Sequence, residues 1–196
     1  QITTHNVLAK LEGSTHPNET ILYTGHWDHI GMGEPDANGD RIFNGAVDNA
    51  SGTAGLLELA RMYGRAPRTE RSIVMISFTA EESGLLGAEY YASNPVYPLA
   101  RTVGGFNMDS MNVYGRVTGL GVTGYGQSDF DERLAAAIQP QGRTLMPDYE
   151  NAAGTYYRSD HFSMARVGVP AFSVSLGDKY AGQTREWGQE KSRDYI

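Results

Sequence analysis

Short apolar runs that are rich in β-branched residues alternate along the chain with segments whose apolar positions repeat at helical spacing. The apolar runs predict six strands, at Asn6–Leu11, Thr20–Thr24, Ser72–Phe78, Thr102–Met108, Val117–Thr123 and Ala171–Ser175. The helical segments predict four helices, at Ser51–Tyr63, Ser83–Ser93, Ser128–Ile138 and His161–Ala165. This alternation is typical of an α/β domain in which helices cover both faces of a mostly parallel sheet.

The first predicted helix has the clearest pattern. Its apolar stripe is formed by Leu56, Leu57, Leu59, Ala60 and Tyr63, and either Asn49 or Ser51 can cap its start. The run Ile73-Val74-Met75-Ile76 contains no polar alternation, which predicts a strand that is buried on both faces.

Length and composition favour a single soluble domain. The 196 residues suffice for one sizeable core, and no apolar run approaches the roughly 18–20 residues that a membrane helix needs. A net charge of −7 disfavours a nucleic-acid partner, because nucleic-acid-binding faces usually carry a basic excess. The chain has no cysteine, so any bound metal must be held by His, Asp and Glu. It starts at Gln1 without a signal-peptide pattern, as expected of a processed or trimmed chain.

Four clusters of imidazole and carboxylate groups lie at the ends of predicted elements, and three of them directly follow predicted strands. They are Gly25-His26-Trp27-Asp28-His29, Gly45 to Gly52 with Asp48 at its centre, Glu81-Glu82, and Asn107-Met108-Asp109. In open α/β sheets, ligands bind beyond the carboxyl ends of the strands. The coincidence of these clusters therefore predicts a functional site at that edge of the sheet.

The residue types in these clusters point to metal chemistry, although each also has a simpler interpretation. His26 alone could be an ordinary loop residue, but Asp28 can orient a ligating imidazole. His29 has no such partner, and we interpret it as structural or supporting. Glu81-Glu82 could be a solvated helix start, where acidic groups suit the helix dipole. Alternatively, one of these carboxylates binds a metal while its neighbour handles protons.

Asp48 and Asp109 complete a possible set of nitrogen and oxygen ligands. Asp48 could be only a turn or capping residue, but a carboxylate in this position could also bridge two cations. Asp109 closes an apolar run, which by itself would be ordinary. Taken with the other clusters, it makes a ligand set suited to zinc, with cobalt or manganese as substitutes.

Five motifs in this order resemble the bacterial leucyl-type zinc aminopeptidase family, whose relatives include glutamate carboxypeptidase and glutaminyl cyclase. They are the four clusters above, with Glu81-Glu82 extended to Glu81-Glu82-Ser83-Gly84, followed by Ser159-Asp160-His161. The likeness runs from about Ile21 to Phe172. The resemblance implies a three-layer, phosphorylase/hydrolase-like α/β fold with a mixed sheet and two zinc ions.

The resemblance also implies a role for each matching residue. His26 and Asp109 correspond to ligands of one zinc, Glu82 corresponds to a ligand of the other, and Asp48 would bridge the two ions. Glu81 would be the general base that takes a proton from a zinc-activated water, and Asp28 would orient His26.

The sequence departs from the family pattern near its end. The second imidazole of the family usually lies in a Tyr-His-x-x-x-Asp-like segment after the Ser-Asp-His motif, but no histidine follows His161 here. We therefore expect residues 1–196 to be a single catalytic domain that lacks its C-terminal elements and has an incomplete second zinc site. The Ser159-Asp160-His161 motif looks like a supporting and packing element, and His161 is the alternative ligand for that site.

The resulting functional expectation is a secreted or periplasmic zinc exopeptidase that hydrolyses N-terminal residues of peptides, with no nucleic-acid or membrane partner. Tyr156 and Tyr157 could donate to an oxyanion, or could simply pack as aromatic side chains. The alternatives are glutaminyl cyclisation, carboxypeptidase action with Arg158 or Arg166 binding the substrate carboxylate, and an inactive metal-binding or interaction domain. Hydrolysis by a Ser-His-Asp triad is disfavoured, because the chain has no Gly-x-Ser-x-Gly motif that would carry the nucleophilic serine.

Overall fold

A computed structural model of the protein describes residues 2–147, 154–176 and 179–193. Its strands are β1 Val7–Leu11, β2 His16–His26, β3 Gly31–Met32, β4 Ile42–Phe43, β5 Arg71–Phe78, β6 Thr102–Met108, β7 Gly119–Thr123, β8 Thr144–Pro147 and β9 Ala171–Leu176. Its α-helices are α1 Ala50–Arg65, α2 Leu86–Ser93, α3 Phe130–Ile138, α4 His161–Ala165 and α5 Arg185–Arg193. None of the helices in this described part is long and apolar enough to cross a membrane.

Seven of the strands form one mixed sheet in the order β1-β5-β2-β6-β9-β7-β8, and β3 and β4 form a separate two-stranded hairpin. The pairs β2–β5, β2–β6, β6–β9 and β7–β8 are parallel, whereas β1–β5 and β7–β9 are antiparallel. The predicted α/β class with a mostly parallel sheet is therefore confirmed. In the register, His26 is aligned with Phe78 and Thr24 with Asn107, so β2, β5 and β6 end at the same edge.

Two cores, one on each face of the central strands, give the domain its three layers. Alternate residues of β5 point to opposite faces. Ile73 and Met75 belong to the cluster that includes Leu56 of α1. Val74 and Ile76 belong to the other cluster, which is built with α2 and α4. Strand β5 is therefore buried on both faces, as its unbroken apolar run predicts.

Several elements differ from the prediction. Strand β2 runs from His16 to His26 rather than from Thr20 to Thr24. Helix α2 begins at Leu86 rather than Ser83, because Gly84 and Leu85 have positive φ values of 102° and 60°, which a right-handed helix does not accommodate. The β3–β4 hairpin was not predicted, because each of its strands has only two residues and all four are exposed. Neither β8 nor α5 was predicted.

His161 begins α4 and is almost completely buried, with 1% of its surface exposed. Neither of its ring nitrogens has a hydrogen-bond partner among the described residues. The ring lies edge-on against Tyr156, with 5.2 Å between the ring centroids. Burial lowers the pKa of His161 to about 4, although the nearby Asp109 carboxylate acts in the opposite direction.

The buried side chains of β5 should dominate the stability of the fold. Ile76 is fully buried in the core beside α2 and α4, whereas Leu57 on α1 is 70% exposed. We expect Ile76→Ala to lower the free energy of unfolding by about 2–5 kcal/mol, because it removes buried methyl groups and leaves a cavity. The control Leu57→Ala should change it by less than about 0.5 kcal/mol. Equal losses for the two variants in urea denaturation would contradict this account of the core.

His161 should also make the fold sensitive to acid. The folded protein keeps the imidazole neutral down to about pH 4, whereas the unfolded chain takes up the proton near pH 6.5, the ordinary pKa of a histidine. This stability is present above about pH 6.5 and is lost as the pH falls toward 4, by up to roughly 3 kcal/mol.

His161→Phe should remove that loss. In melting experiments with a chelator present, the difference in Tm between the variant and the wild type should shift in favour of the variant as the pH falls from 8 to 5. The control variant His16→Gln, at an exposed histidine, should keep a constant difference in Tm from the wild type over the same pH range. Parallel curves for His161→Phe and the wild type would show that the buried imidazole is not the acid-sensitive group.

Candidate metal centre

Three neighbouring parallel strands bring the predicted functional residues to one edge of the sheet. Strand β2 ends at His26 itself, β5 ends three residues before Glu81, and β6 ends one residue before Asp109. Because β2 lies between β5 and β6, His26 lies between the segments that carry the two acidic residues. Asp48 reaches the same edge from the loop before α1.

The imidazole of His26 is fully buried and has a fixed orientation. Its Nδ1 lies 3.0 Å from the backbone carbonyl oxygen of Asp28. A carbonyl oxygen only accepts hydrogen bonds, so Nδ1 carries a hydrogen and the neutral ring has its lone pair on Nε2. This Nε2 lies 3.1 Å from Oδ1 of Asp48 and 3.4 Å from Oδ1 of Asp109. Three lone pairs that meet at such distances require a cation, either a proton or a metal ion, among them.

The charges around His26 favour such a cation. Burial alone would lower the pKa of His26, but the carboxylates of Asp109 and Asp48 outweigh it and raise the pKa to about 11. Burial would likewise raise the pKa of Asp109, but its contact with His26 holds that pKa below the ordinary value. Two carboxylates around one imidazole leave net negative charge even when the ring is protonated, and a divalent cation would neutralise it.

A buried chain of hydrogen bonds holds the Asp109 carboxylate. Thr24 donates to Oδ1 of Asn107 at 2.7 Å, and Nδ2 of Asn107 donates to the Ser159 hydroxyl at 2.8 Å. Ser159 in turn donates to Oδ2 of Asp109 at 2.8 Å. From the sequence, Asn107 was assigned no role, and the Ser159-Asp160-His161 motif was interpreted as a supporting and packing element. The sequence signal for this chain of hydrogen bonds was the presence of polar side chains, such as Thr24 and Asn107, within otherwise apolar strands.

The start of α1 holds Asp48 near Asp109. Asn49, which follows Asp48 through a cis peptide bond, caps α1 by accepting from the Gly52 N–H at 2.9 Å. Its Nδ2 donates to the Met108 carbonyl at 3.0 Å, which connects the helix start to the end of β6. Glycine is required at position 52, because a Cβ there would lie 2.4 Å from the Met108 carbonyl oxygen.

Asp28 contacts both His26 and the Glu81-Glu82 segment, but not in the predicted way. The prediction was that its carboxylate orients His26. In the structure the backbone carbonyl accepts from Nδ1, and Oδ1 of the carboxylate lies farther away, at 3.7 Å. The carboxylate instead accepts from the backbone N–H groups of Glu81 at 3.0 Å and Glu82 at 3.3 Å. Asp28 thus connects the imidazole to the segment that follows β5.

Glu81 is a buried carboxyl group with an altered acidity. Only 8% of its surface is exposed, and burial raises its pKa to about 8. The charge on His26 acts in the opposite direction, whereas the carboxylates of Asp160 and Asp109 raise the pKa further. A carboxyl group that titrates near neutral pH is suited to accepting and returning a proton.

Glu82 lies on the more exposed side of the site and contacts a histidine to which sequence reasoning gave no ligand role. Its Oε1 is 2.7 Å from Nδ1 of His29. His29, Asp48 and Glu82 can each offer one ligand atom, with all three atoms within 4.8 Å of one another. His26, Asp48 and Asp109 form a second group that satisfies the same criterion. The position of His29, three residues after His26 in the same loop, was the signal in the sequence.

Other residues considered from the sequence lie outside these two groups. His161, the alternative ligand, belongs to neither group and is buried against Tyr156 instead. Tyr156 and Tyr157 both pack edge-on against Phe162, in agreement with their interpretation as packing residues. Arg166, a candidate for binding a substrate carboxylate, forms an ion pair of 2.9 Å with Glu89 of α2.

The two groups fit zinc by their donor atoms. Each offers one imidazole nitrogen and two carboxylate oxygens, which are typical zinc ligands, and the groups share Asp48. Oδ1 of Asp48 is buried and has no hydrogen-bond partner among the described residues, even though Nε2 of His26 is near. A cation shared with His26 would satisfy that oxygen.

Known proteins of similar fold and sequence include metallopeptidases. The structure is similar to that of an aminopeptidase from Aneurinibacillus sp., with a TM-score of 0.66, 24% identity, and coverage of 95% of this chain and 45% of that chain. A probable zinc metalloprotease of Pyrenophora teres f. teres is 44% identical over 86 residues, which are 44% of this chain and 18% of that protein.

A longer alignment joins the chain to leupeptin-inactivating enzyme 1 of Streptomyces exfoliatus. The two are 28% identical over 191 residues, which cover 95% of this chain and 40% of that enzyme. The chain therefore spans less than half the length of the curated relatives described here. The model of peptidase family M28 matches residues 6–194, which confirms the resemblance seen in the sequence motifs, and the chain belongs to peptidase family M28.

Proposed function

We propose that this chain is the catalytic part of a zinc-dependent exopeptidase that removes residues from the N-terminus of peptides. The observation that carries the proposal is the lone pair of His26 Nε2, which faces the carboxylates of Asp48 and Asp109 beside the buried acid Glu81. Membership of peptidase family M28 supports the same conclusion. His26, Asp48 and Asp109 would hold one zinc ion, and Asp48 and Glu82 would take part in holding a second.

Zinc, when bound, acts as a Lewis acid that polarises the scissile carbonyl and makes a water molecule acidic enough to attack near neutral pH. The protein must supply the group that moves the proton. Glu81 is the candidate, because its carboxyl is buried beside the ligands and has a pKa near neutrality. A protonated His26 lowers this pKa, and a metal ion that takes the place of that proton would act in the same direction, which favours the basic carboxylate form.

In the proposed reaction, Glu81 accepts a proton from the attacking water and returns it to the leaving amine. General acid–base catalysis of this kind typically contributes about 10²–10⁴-fold to the rate. Asp28 supports it by accepting hydrogen bonds from the N–H groups of both Glu81 and Glu82. This contact keeps the base and the neighbouring ligand at a fixed position relative to His26.

The second metal position lies on the exposed side of the site, where a substrate with a free α-amino group can approach it. The side chains of Asp48 and Glu82, which would hold that ion, are 46% and 23% exposed. A carboxypeptidase would instead need a free cationic side chain to bind the substrate carboxylate. Arg166, one of the two arginines considered for that role, is paired with Glu89.

Glu81→Gln should separate catalysis from metal binding. The substitution keeps the size of the side chain but removes its ability to accept and return a proton. We expect hydrolysis of aminoacyl p-nitroanilides to fall by at least about 10²-fold, with zinc binding retained. The control Glu132→Gln makes the same chemical change at the exposed start of α3 and should leave the rate unchanged.

Three substrates in the same assay series test the class of reaction. A panel of aminoacyl p-nitroanilides should be hydrolysed, whereas N-acylated peptides with a free C-terminus and peptides with N-terminal glutamine should give no carboxypeptidase or cyclase product. Full turnover by Glu81→Gln would remove Glu81 from its role. Release of ammonia from the glutaminyl peptide, without hydrolysis of any nitroanilide, would replace the proposed activity with glutaminyl cyclisation.

A further inference from the structure

We infer that His29 is a ligand of the second cation, which it binds together with Asp48 and Glu82. The inference rests on the proposed function, since it names the imidazole that completes the second of the two zinc sites. His29 lies in the same loop as Asp28 and already contacts Glu82.

The geometry between His29 and Glu82 is that of two ligands rather than of a hydrogen-bonded pair. Nδ1 of His29 lies 2.7 Å from Oε1 of Glu82, yet Nδ1 is buried and has no hydrogen-bond partner among the described residues. The carboxylate oxygen is therefore close to the nitrogen but lies outside its hydrogen-bonding direction. Two such atoms, together with an oxygen of Asp48 within 4.8 Å, can be satisfied by one cation between them.

Surrounding residues hold the ring of His29 in this position. Phe43 of the β3–β4 hairpin lies edge-on to the ring, with 6.4 Å between the ring centroids. Gly45 leaves room for it, since a Cβ at this position would lie 3.0 Å from the Cβ of His29. Asp28, the preceding residue, is bound to the backbone of Glu82. The imidazole and its partner carboxylate are thus held by the same short loop.

A supporting role is the alternative that an experiment must separate from ligation. As a ligand, His29 needs the lone pair on Nδ1 and carries its hydrogen on Nε2. As a supporting residue, it would donate from Nδ1 to Glu82 and only orient that carboxylate. Glutamine at this position can still donate a hydrogen bond, but it is a poor replacement for an imidazole ligand of zinc. His29→Gln therefore distinguishes the two roles.

The experiment counts metal ions per chain. Zinc-depleted wild type, His29→Ala, His29→Gln and the control His16→Ala would be titrated with Zn²⁺ by calorimetry. Bound zinc would then be measured by plasma mass spectrometry after gel filtration. We expect two ions per chain in the wild type and in the control at the exposed His16. Both His29 variants should bind one ion, and retention of that ion at His26, Asp48 and Asp109 would show that they are folded.

Each other outcome is decisive. Two ions in His29→Ala would overturn the inference, and two ions in His29→Gln with one in His29→Ala would assign His29 the supporting role. One ion in the wild type, with peptide hydrolysis retained, would also reject the inference while leaving the proposed activity intact. No bound zinc and no hydrolysis in the wild type would instead remove the proposed function itself.

Discussion

The hydrogen bond between Nδ1 of His26 and the backbone carbonyl of Asp28 determines the chemistry of the whole site. It sets the tautomer of a fully buried imidazole, so that Nε2 presents its lone pair to two carboxylates. Because lone pairs repel one another at these distances, the arrangement is stable only with a positive charge among them. The burial of His26, its tautomer and the two carboxylates together create a site that requires a bound cation.

The fold keeps these groups together through backbone contacts at the ends of the strands. The parallel register ends β2 and β5 at the same level, which places His26 next to the segment that carries Glu81 and Glu82. Asn49 links the start of α1 to the end of β6, and thereby holds Asp48 near Asp109. Asp28 performs the corresponding task on the other side by binding the backbone of Glu81 and Glu82. The metal ligands and the proton-transfer group are thus positioned by different elements that meet at one edge of the sheet.

Much of this arrangement could be predicted because it follows from hydrophobic pattern. The unbroken apolar run of β5 predicts a doubly buried strand, and a parallel sheet places the ends of such strands at one edge. That rule brought His26, Glu81 and Asp109 into a single hypothesis before their positions were known. Strand β6 and helix α4 have the predicted bounds.

The remaining features depend on contacts that a sequence pattern does not encode. Asp28 was expected to orient His26 with its carboxylate, but sequence cannot distinguish a side-chain acceptor from the backbone carbonyl of the same residue. The contact between His29 and Glu82 arises from the path of two loops, and the β3–β4 hairpin beside it has strands of only two residues. Positive φ values at Gly84 and Leu85 set the start of α2.

Anomalous diffraction at the zinc absorption edge, from crystals of the zinc-loaded chain, tests the central claim most directly. The account predicts a zinc peak within about 2.0–2.2 Å of Nε2 of His26 and of carboxylate oxygens of Asp48 and Asp109. A zinc peak at another position, with Nε2 of His26 hydrogen-bonded only to protein groups, would contradict this account.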